Sequence, residues 1–126
     1  MRPISTNQAP AAIGPYSQAV VVGGFLFTSG QIPLDPETGE MVPGSFDAQA
    51  RQVLLNLKQV LAAAECDYGD VVKATVYVTN MSNFPILNEL YAEAMGDHRP
   101  SRSTVEVSAL PKGALVEIDL VARIPS

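Results

Sequence analysis

The chain has 126 residues, 47% hydrophobic, 6% aromatic with no Trp and 17% charged, at a formal net charge of −5. That length holds one domain (1–126) around one aliphatic core, and the acidic excess, with eight scattered Lys and Arg, lacks the basic face that nucleic-acid binding requires. No run approaches the ~18 apolar residues of a membrane span, Met1–Thr6 lacks the apolar core of a signal peptide, and the single Cys66 excludes an intramolecular disulfide, so a cytoplasmic protein with no nucleic-acid or membrane partner is expected.

In chain order, Pro10 to Pro15 holds two prolines and a glycine and reads as irregular. Tyr16 to Val22 and Phe25 to Ser29 read as strands joined by a Gly23-Gly24 turn, whose residues tolerate positive φ. Phe25, Phe27 and Ser29 then share one face, Leu26 and Thr28 the other. Gly30 to Gly44 is a loop with three prolines, and its Asp35-Pro36-Glu37-Thr38-Gly39 stretch is turn chemistry. The spacing of Ala50, Val53, Leu54, Leu57, Val60, Leu61 and Ala64 predicts an amphipathic helix over about 45–65, capped by Ser45 or Asp47. Val71 to Thr79 reads as a strand with Val72, Ala74, Val76 and Val78 on one face. A second helix runs from a Ser82 or Asn83 cap to about Met95, with Gly96 as its stop. Two strands follow, Arg102 to Ser108 and Leu115 to Ile124, joined by Leu110-Pro111-Lys112-Gly113.

The order β-β-α-β-α-β-β predicts a two-layer α+β domain, a mixed sheet with two helices on one face. Val71, Thr75, Tyr77, Leu115 and Val121 give the other face partly apolar character. With few charges and no further helix to cover that face, sister subunits are its natural cover.

Familiar catalytic arrangements fail on residue supply. His98 and Cys66 are the only residues of their types, which leaves no His/Cys zinc set and no metal site. His98 sits in a polar loop and reads as solvated. There is no phosphate-loop or dinucleotide fingerprint, and Cys66 reads as a packing residue. Strand alternation puts Arg102, Thr104, Glu106 and Ser108 on one face. In the last strand Glu117 and Asp119 lie opposite the core set Val116, Ile118, Leu120 and Ala122. An Arg bordering an inter-subunit cleft suits a small carboxylate, and a nearby Glu can hold or deprotonate a water. The structural alternative is an Arg–Glu ion pair inside an oligomer.

Gly14-Pro15-Tyr16-Ser17-Gln18-Ala19, Ser29-Gly30-Gln31-Ile32-Pro33, Gln49-Ala50-Arg51-Gln52 with Asn56-Leu57, Arg102-Ser103-Thr104-Val105-Glu106-Val107 and Leu110-Pro111-Lys112-Gly113 with Val116-Glu117-Ile118-Asp119 together resemble the RidA (YjgF) family over nearly the whole chain. The resemblance implies a chorismate-mutase-like subunit, a homotrimer with sites between subunits, and cofactor-free hydrolysis of 2-imino or enamine acids to 2-oxo acids and ammonia. It assigns carboxylate binding to Arg102 and water handling to Glu117, with Tyr16, Ser29, Gly30 and Asn88 lining the cleft. Many members carry Cys where this chain has Thr104. The contact attributed to that position is through backbone groups, which Thr also supplies, so thiol chemistry there is lost while deamination is expected to survive. Two other readings follow from the same resemblance: a small-carboxylate-binding regulatory module without turnover, and an endoribonuclease or translation inhibitor, which the acidic composition disfavours.

Overall fold

In the computed structural model, which describes residues 1–125, the hairpin expected at Gly23-Gly24 is present: β2 (Ala19–Val22) returns as β3 (Phe25–Thr28) with Val22 opposite Phe25. The two glycines take φ of 58° and 82°, a region that side chains disfavour. The helical periodicity becomes α1 (Phe46–Ala63), whose stripe of Ala50, Val53, Leu57, Val60 and Leu61 is fully buried. Ser45 occupies the N-cap position of α1, yet neither it nor Asp47 caps through its side chain; Asp47 instead pairs with Arg51 at 2.8 Å on the solvent side. A 3-10 turn over Met81–Asn83 precedes α2 (Phe84–Met95). Asn80 holds that turn by accepting from the Ser82 N–H at 3.0 Å, so the side-chain cap falls earlier than the Ser82 or Asn83 expected. Gly96 ends α2 at φ 63°.

Three longer strands complete the sheet: β4 (Val71–Val78), β5 (Ser101–Glu106) and β6 (Val116–Arg123). A short strand that the sequence reading does not include, β1 (Arg2–Ile4), adds to β2. The six strands run in the order β1-β2-β3-β6-β4-β5. β6 inserts antiparallel between β3 and β4, and β5 lies parallel to β4 at the edge, joined to it by α2. β5 and β6 are therefore consecutive in the chain but not neighbours. Both helices bury their apolar sides against Ala74, Val76, Val78, Val116, Ile118, Leu120 and Ala122, giving the expected two-layer α+β domain.

A register shift between Val71 and Lys73 alters the expected facing of β4. The bulge turns Val71 into the core and leaves Val72 exposed, although simple alternation assigns Val72 to the core and Val71 to the open face. Leu115, also assigned to the open face, packs against the core instead. The open face nevertheless has a large apolar component: Phe25 and Phe27 are 39% and 43% exposed, beside Val22 at 45% and Val105 at 42%. Among the described residues, no helix is long and apolar enough to cross a membrane.

Candidate functional site

Arg102 lies in edge strand β5 opposite Ala74, a core residue, so its side chain leaves the sheet on the helix-covered side. There α2 receives it on three residues spaced along one helical face. Asn88 Oδ1 accepts from Arg102 Nη2 at 2.7 Å, while the guanidinium carbon lies 4.8 Å from the Tyr91 ring centre and 5.4 Å from that of Phe84. The rings hold the fork by cation–π attraction and Asn88 fixes its orientation. Among the described residues, no carboxylate lies within ion-pair distance of Arg102. Arg102, Asn88 and Tyr91 line a cavity of about 260 Å³ together with Ala92, Arg99 and Pro100.

Thr104 follows on the same face of β5, opposite Val76, with its hydroxyl buried and unpartnered. The Val107 N–H donates to the Val78 carbonyl, which fixes the alternation of the parallel pairing. Residues 101, 103, 105 and 107 turn their backbone groups toward β4. Those of Arg102, Thr104 and Glu106 face the outer edge, where an N–H and a C=O from residue 104 are available whatever its side chain.

A second group assembles on the opposite face. Glu117, opposite Tyr77 in the β4–β6 pairing, projects from the open side and rests against Gly30. Gly30 closes the turn out of β3, beside the bridge in which the Gln31 N–H donates to the Ile118 carbonyl at 2.9 Å and the Ile118 N–H donates back at 3.2 Å. The Ser29 hydroxyl donates to the Ser17 carbonyl at 2.6 Å, tying β3 to the Gly14-Pro15-Tyr16-Ser17 segment. The exposed Tyr16 and Gly30 line a cavity of about 210 Å³ with Pro10, Ala11, Ile13 and Lys112. Gln18 anchors this whole segment: its buried amide accepts from the Thr6 N–H at 2.7 Å and donates to the carbonyls of Thr6, Ala9 and Pro10. Sequence pattern alone does not reveal that role, because a polar residue just before an apolar run carries no sign that it is buried.

The expected site residues therefore divide into two clusters. Asn88, Arg102 and Thr104 form one; Tyr16, Ser29, Gly30 and Glu117 form the other. They lie on opposite faces of the sheet, and β4 separates β5 from β6, about 10 Å at ordinary strand spacing. One chain brings no member of the first cluster to Glu117, and the two sets do not form an ion pair within it.

Burial lifts the Glu117 carboxyl above the ordinary range, and the neighbouring negative charge of Asp119 lifts it further. Asp119 is also raised by burial, against the opposing effects of a hydrogen bond from the Tyr77 hydroxyl at 3.1 Å and the charge of Lys73. A carboxyl whose folded pKa is raised binds protons more tightly folded than unfolded, so its contribution to stability is present in acid and is lost as pH rises through the folded pKa. Glu117→Gln and Asp119→Asn are accordingly expected to raise Tm at pH 7. The gain should vanish when the melt is repeated below the ordinary carboxylate range. Unchanged Tm values at pH 7 would mean that the open face does not disfavour the two charges.

His98, expected to be solvated, is half-buried, and its Nε2 lies 2.6 Å from the Val71 carbonyl at the β4 bulge. That contact ties the loop before β5 to β4. Cys66 is buried, and burial pushes its thiol up, consistent with a packing role.

A family model described as Endoribonuclease L-PSP matches residues 6–124. A RutC family protein from Pyrococcus horikoshii is 53% identical over 94% of both chains. The 2-iminobutanoate/2-iminopropanoate deaminase of Mus musculus is 48% identical over 94% of this chain and 88% of its own length. Among solved structures, E. coli TdcF with bound serine superposes with a TM-score of 0.92 at 42% identity, covering 100% of both chains.

Proposed function

The chain belongs to the RidA (YjgF) family, and from that premise we propose that it hydrolyses 2-imino acids, 2-iminobutanoate and 2-iminopropanoate among them, to 2-oxo acids and ammonia without a cofactor. The observation that carries this reading is the Arg102 guanidinium, oriented by Asn88 between two aromatic rings and without an acidic partner among the described residues. A fork so prepared suits a carboxylate through two parallel charge-assisted hydrogen bonds. The name of the mouse relative and the serine held by TdcF point to the same class of small amino- or imino-acid ligand.

In this reading the α-carboxylate lies on Arg102, and the outward-facing backbone groups of Thr104 orient the imine nitrogen. Glu117 takes a proton from water as its oxygen bonds to C2 of the protonated imine. That proton then passes to the nitrogen of the carbinolamine, the C2–N bond breaks with ammonia leaving, and the hydroxyl proton passes to the Glu117 carboxylate as C2 becomes a carbonyl. Positioning and one carboxylate of raised pKa are modest aids, suited to a reaction that already proceeds in water. Because Arg102 and Glu117 occupy opposite faces of the sheet, each site takes its Arg cluster from one copy and its Glu cluster from another, which we assign to a homotrimer. The apolar open face around Phe25, Phe27 and Val105 supports that association. Light scattering should give three times the 13.4 kDa chain mass.

The direct test generates imine with an amino-acid oxidase in the presence of semicarbazide. Purified protein should lower semicarbazone formation while 2-oxo acid and ammonia accumulate. An unchanged semicarbazone rate with intact protein would leave a carboxylate-binding module without turnover. Since Glu117 must be ionised to accept the water proton, kcat/KM should fall on the acid side as that carboxyl takes up a proton. Asp119→Asn should move that limb to lower pH, because one cause of the raised Glu117 pKa is removed. A ribonuclease reading, which the family description keeps in view, is opposed by the net charge of −5; RNA cleavage that copurifies with the trimer and weakens steeply with salt would favour it.

A further inference from the structure

The cavity beside Arg102 has a second cationic wall. Arg99, in the loop between α2 and β5, lines the same 260 Å³ space. Its Nη1 donates to the carbonyls of Gly96 and His98, closing the C-terminal end of α2. Its Nε and Nη2 make no hydrogen bond among the described residues, and no carboxylate there lies within 4.0 Å of Arg99 or Arg102. Thirteen acidic residues against eight basic ones make acid partners plentiful, yet among the described residues of one chain two arginines line one cavity without any. Like charges so placed repel unless an anion lies near them. Tyr91 lines the same space with its hydroxyl buried and unpartnered. Both guanidiniums lie near enough to that phenol to oppose the rise in pKa that burial causes.

We infer that Arg99 is a specificity residue that takes a second acidic group, so that the cavity selects imines of acidic amino acids, with Arg102 on the α-carboxylate and Arg99 on the distal one. A single carboxylate is satisfied by one bidentate fork; a second guanidinium on the same small cavity, with its Nε and Nη2 still open, is matched by a diacid. The substrate class rests on the deaminase reading above, whereas the anion preference itself does not.

The experiment therefore measures binding and turnover separately. Calorimetry with 2-oxoglutarate and 2-oxobutanoate, stable oxo counterparts of a diacid and a monoacid imine, should give the diacid about tenfold tighter binding to the wild type, the worth of one added charge-assisted contact. Arg99→Ala should abolish that preference while changing 2-oxobutanoate affinity less than about twofold. Arg99→Lys retains the charge and should retain most of the preference, guarding against loss of the α2 closure as the cause. Equal affinities in the wild type, or equal losses for both acids in Arg99→Ala, overturn the inference. Arg99-dependent diacid binding without accelerated imine hydrolysis keeps it and overturns the deaminase reading. Turnover of monoacid imines with no diacid preference does the reverse.

Discussion

Arg102→Ala is expected to lower kcat/KM for imine hydrolysis by about 100-fold or more while the protein remains folded and associated. Two charge-assisted hydrogen bonds at about 1.5 kcal/mol or more each correspond to at least two decades in rate. The loss should appear in KM and kcat together, because the carboxylate grip both binds the substrate and sets C2 before the attacking water. Stability should change little. The guanidinium is half-buried and, among the described residues of its own chain, has no acid partner whose charge would be stranded, and its two ring contacts contribute about 0.5–1 kcal/mol each. Arg102→Lys separates charge from shape: a lysine keeps the cation but loses the planar fork and most of its stacking on Tyr91 and Phe84, so it should recover only a small part of the activity. Melting curves and light scattering on the same preparations guard against a trivial cause. Full activity in a folded Arg102→Ala protein would refute the carboxylate-grip mechanism.

What the sequence could and could not announce follows from the kind of signal each feature carries. The hairpin, both helices and the three longer strands rest on hydrophobic period and on glycine placement, which are local. β1 escaped because Arg2-Pro3-Ile4 is short and proline-bearing, and only pairing with Ala19–Val21 makes it a strand. Val72 takes the face opposite to the one that alternation assigns, because a bulge is one inserted residue that shifts the alternation without changing composition. In β5 alternation correctly grouped Arg102 with Thr104, yet no local feature says which face that group takes. Its direction toward α2 comes from the parallel register with Ala74 and Val76, a tertiary fact. The division of the expected site into two half-sites was for the same reason illegible from the pattern alone. Asn88 accepts from Arg102 and lines the cavity beside it. The role of Phe84 and Tyr91 as a platform for Arg102 becomes visible only once β5 is laid beside α2.

Gly30→Ala should be nearly as damaging as removing Glu117 itself, with little effect on folding. A Cβ at residue 30 would lie 2.2 Å from Glu117 Oε2, 2.7 Å from Cδ and 3.0 Å from Cγ, closer than packed atoms tolerate. Gly30 is not among the positive-φ glycines, so alanine meets no backbone penalty there. The clash falls on the far end of a flexible side chain and is relieved when Glu117 swings away from the turn. The fold keeps its core and the carboxylate loses its place. Loss of a positioned acid–base group corresponds to about 100-fold in kcat/KM at the low end. Affinity for a 2-oxo acid, governed by Arg102, should stay within about threefold. The decisive comparison is the double variant. If alanine at residue 30 acts by displacing Glu117, then Gly30→Ala combined with Glu117→Gln should be no slower than Glu117→Gln alone, since both changes remove the same contribution. Multiplying losses would instead give Gly30 a role of its own, such as a backbone approach to the substrate. An undiminished rate in Gly30→Ala would show that the position Glu117 takes over this turn is not the one from which the water is handled.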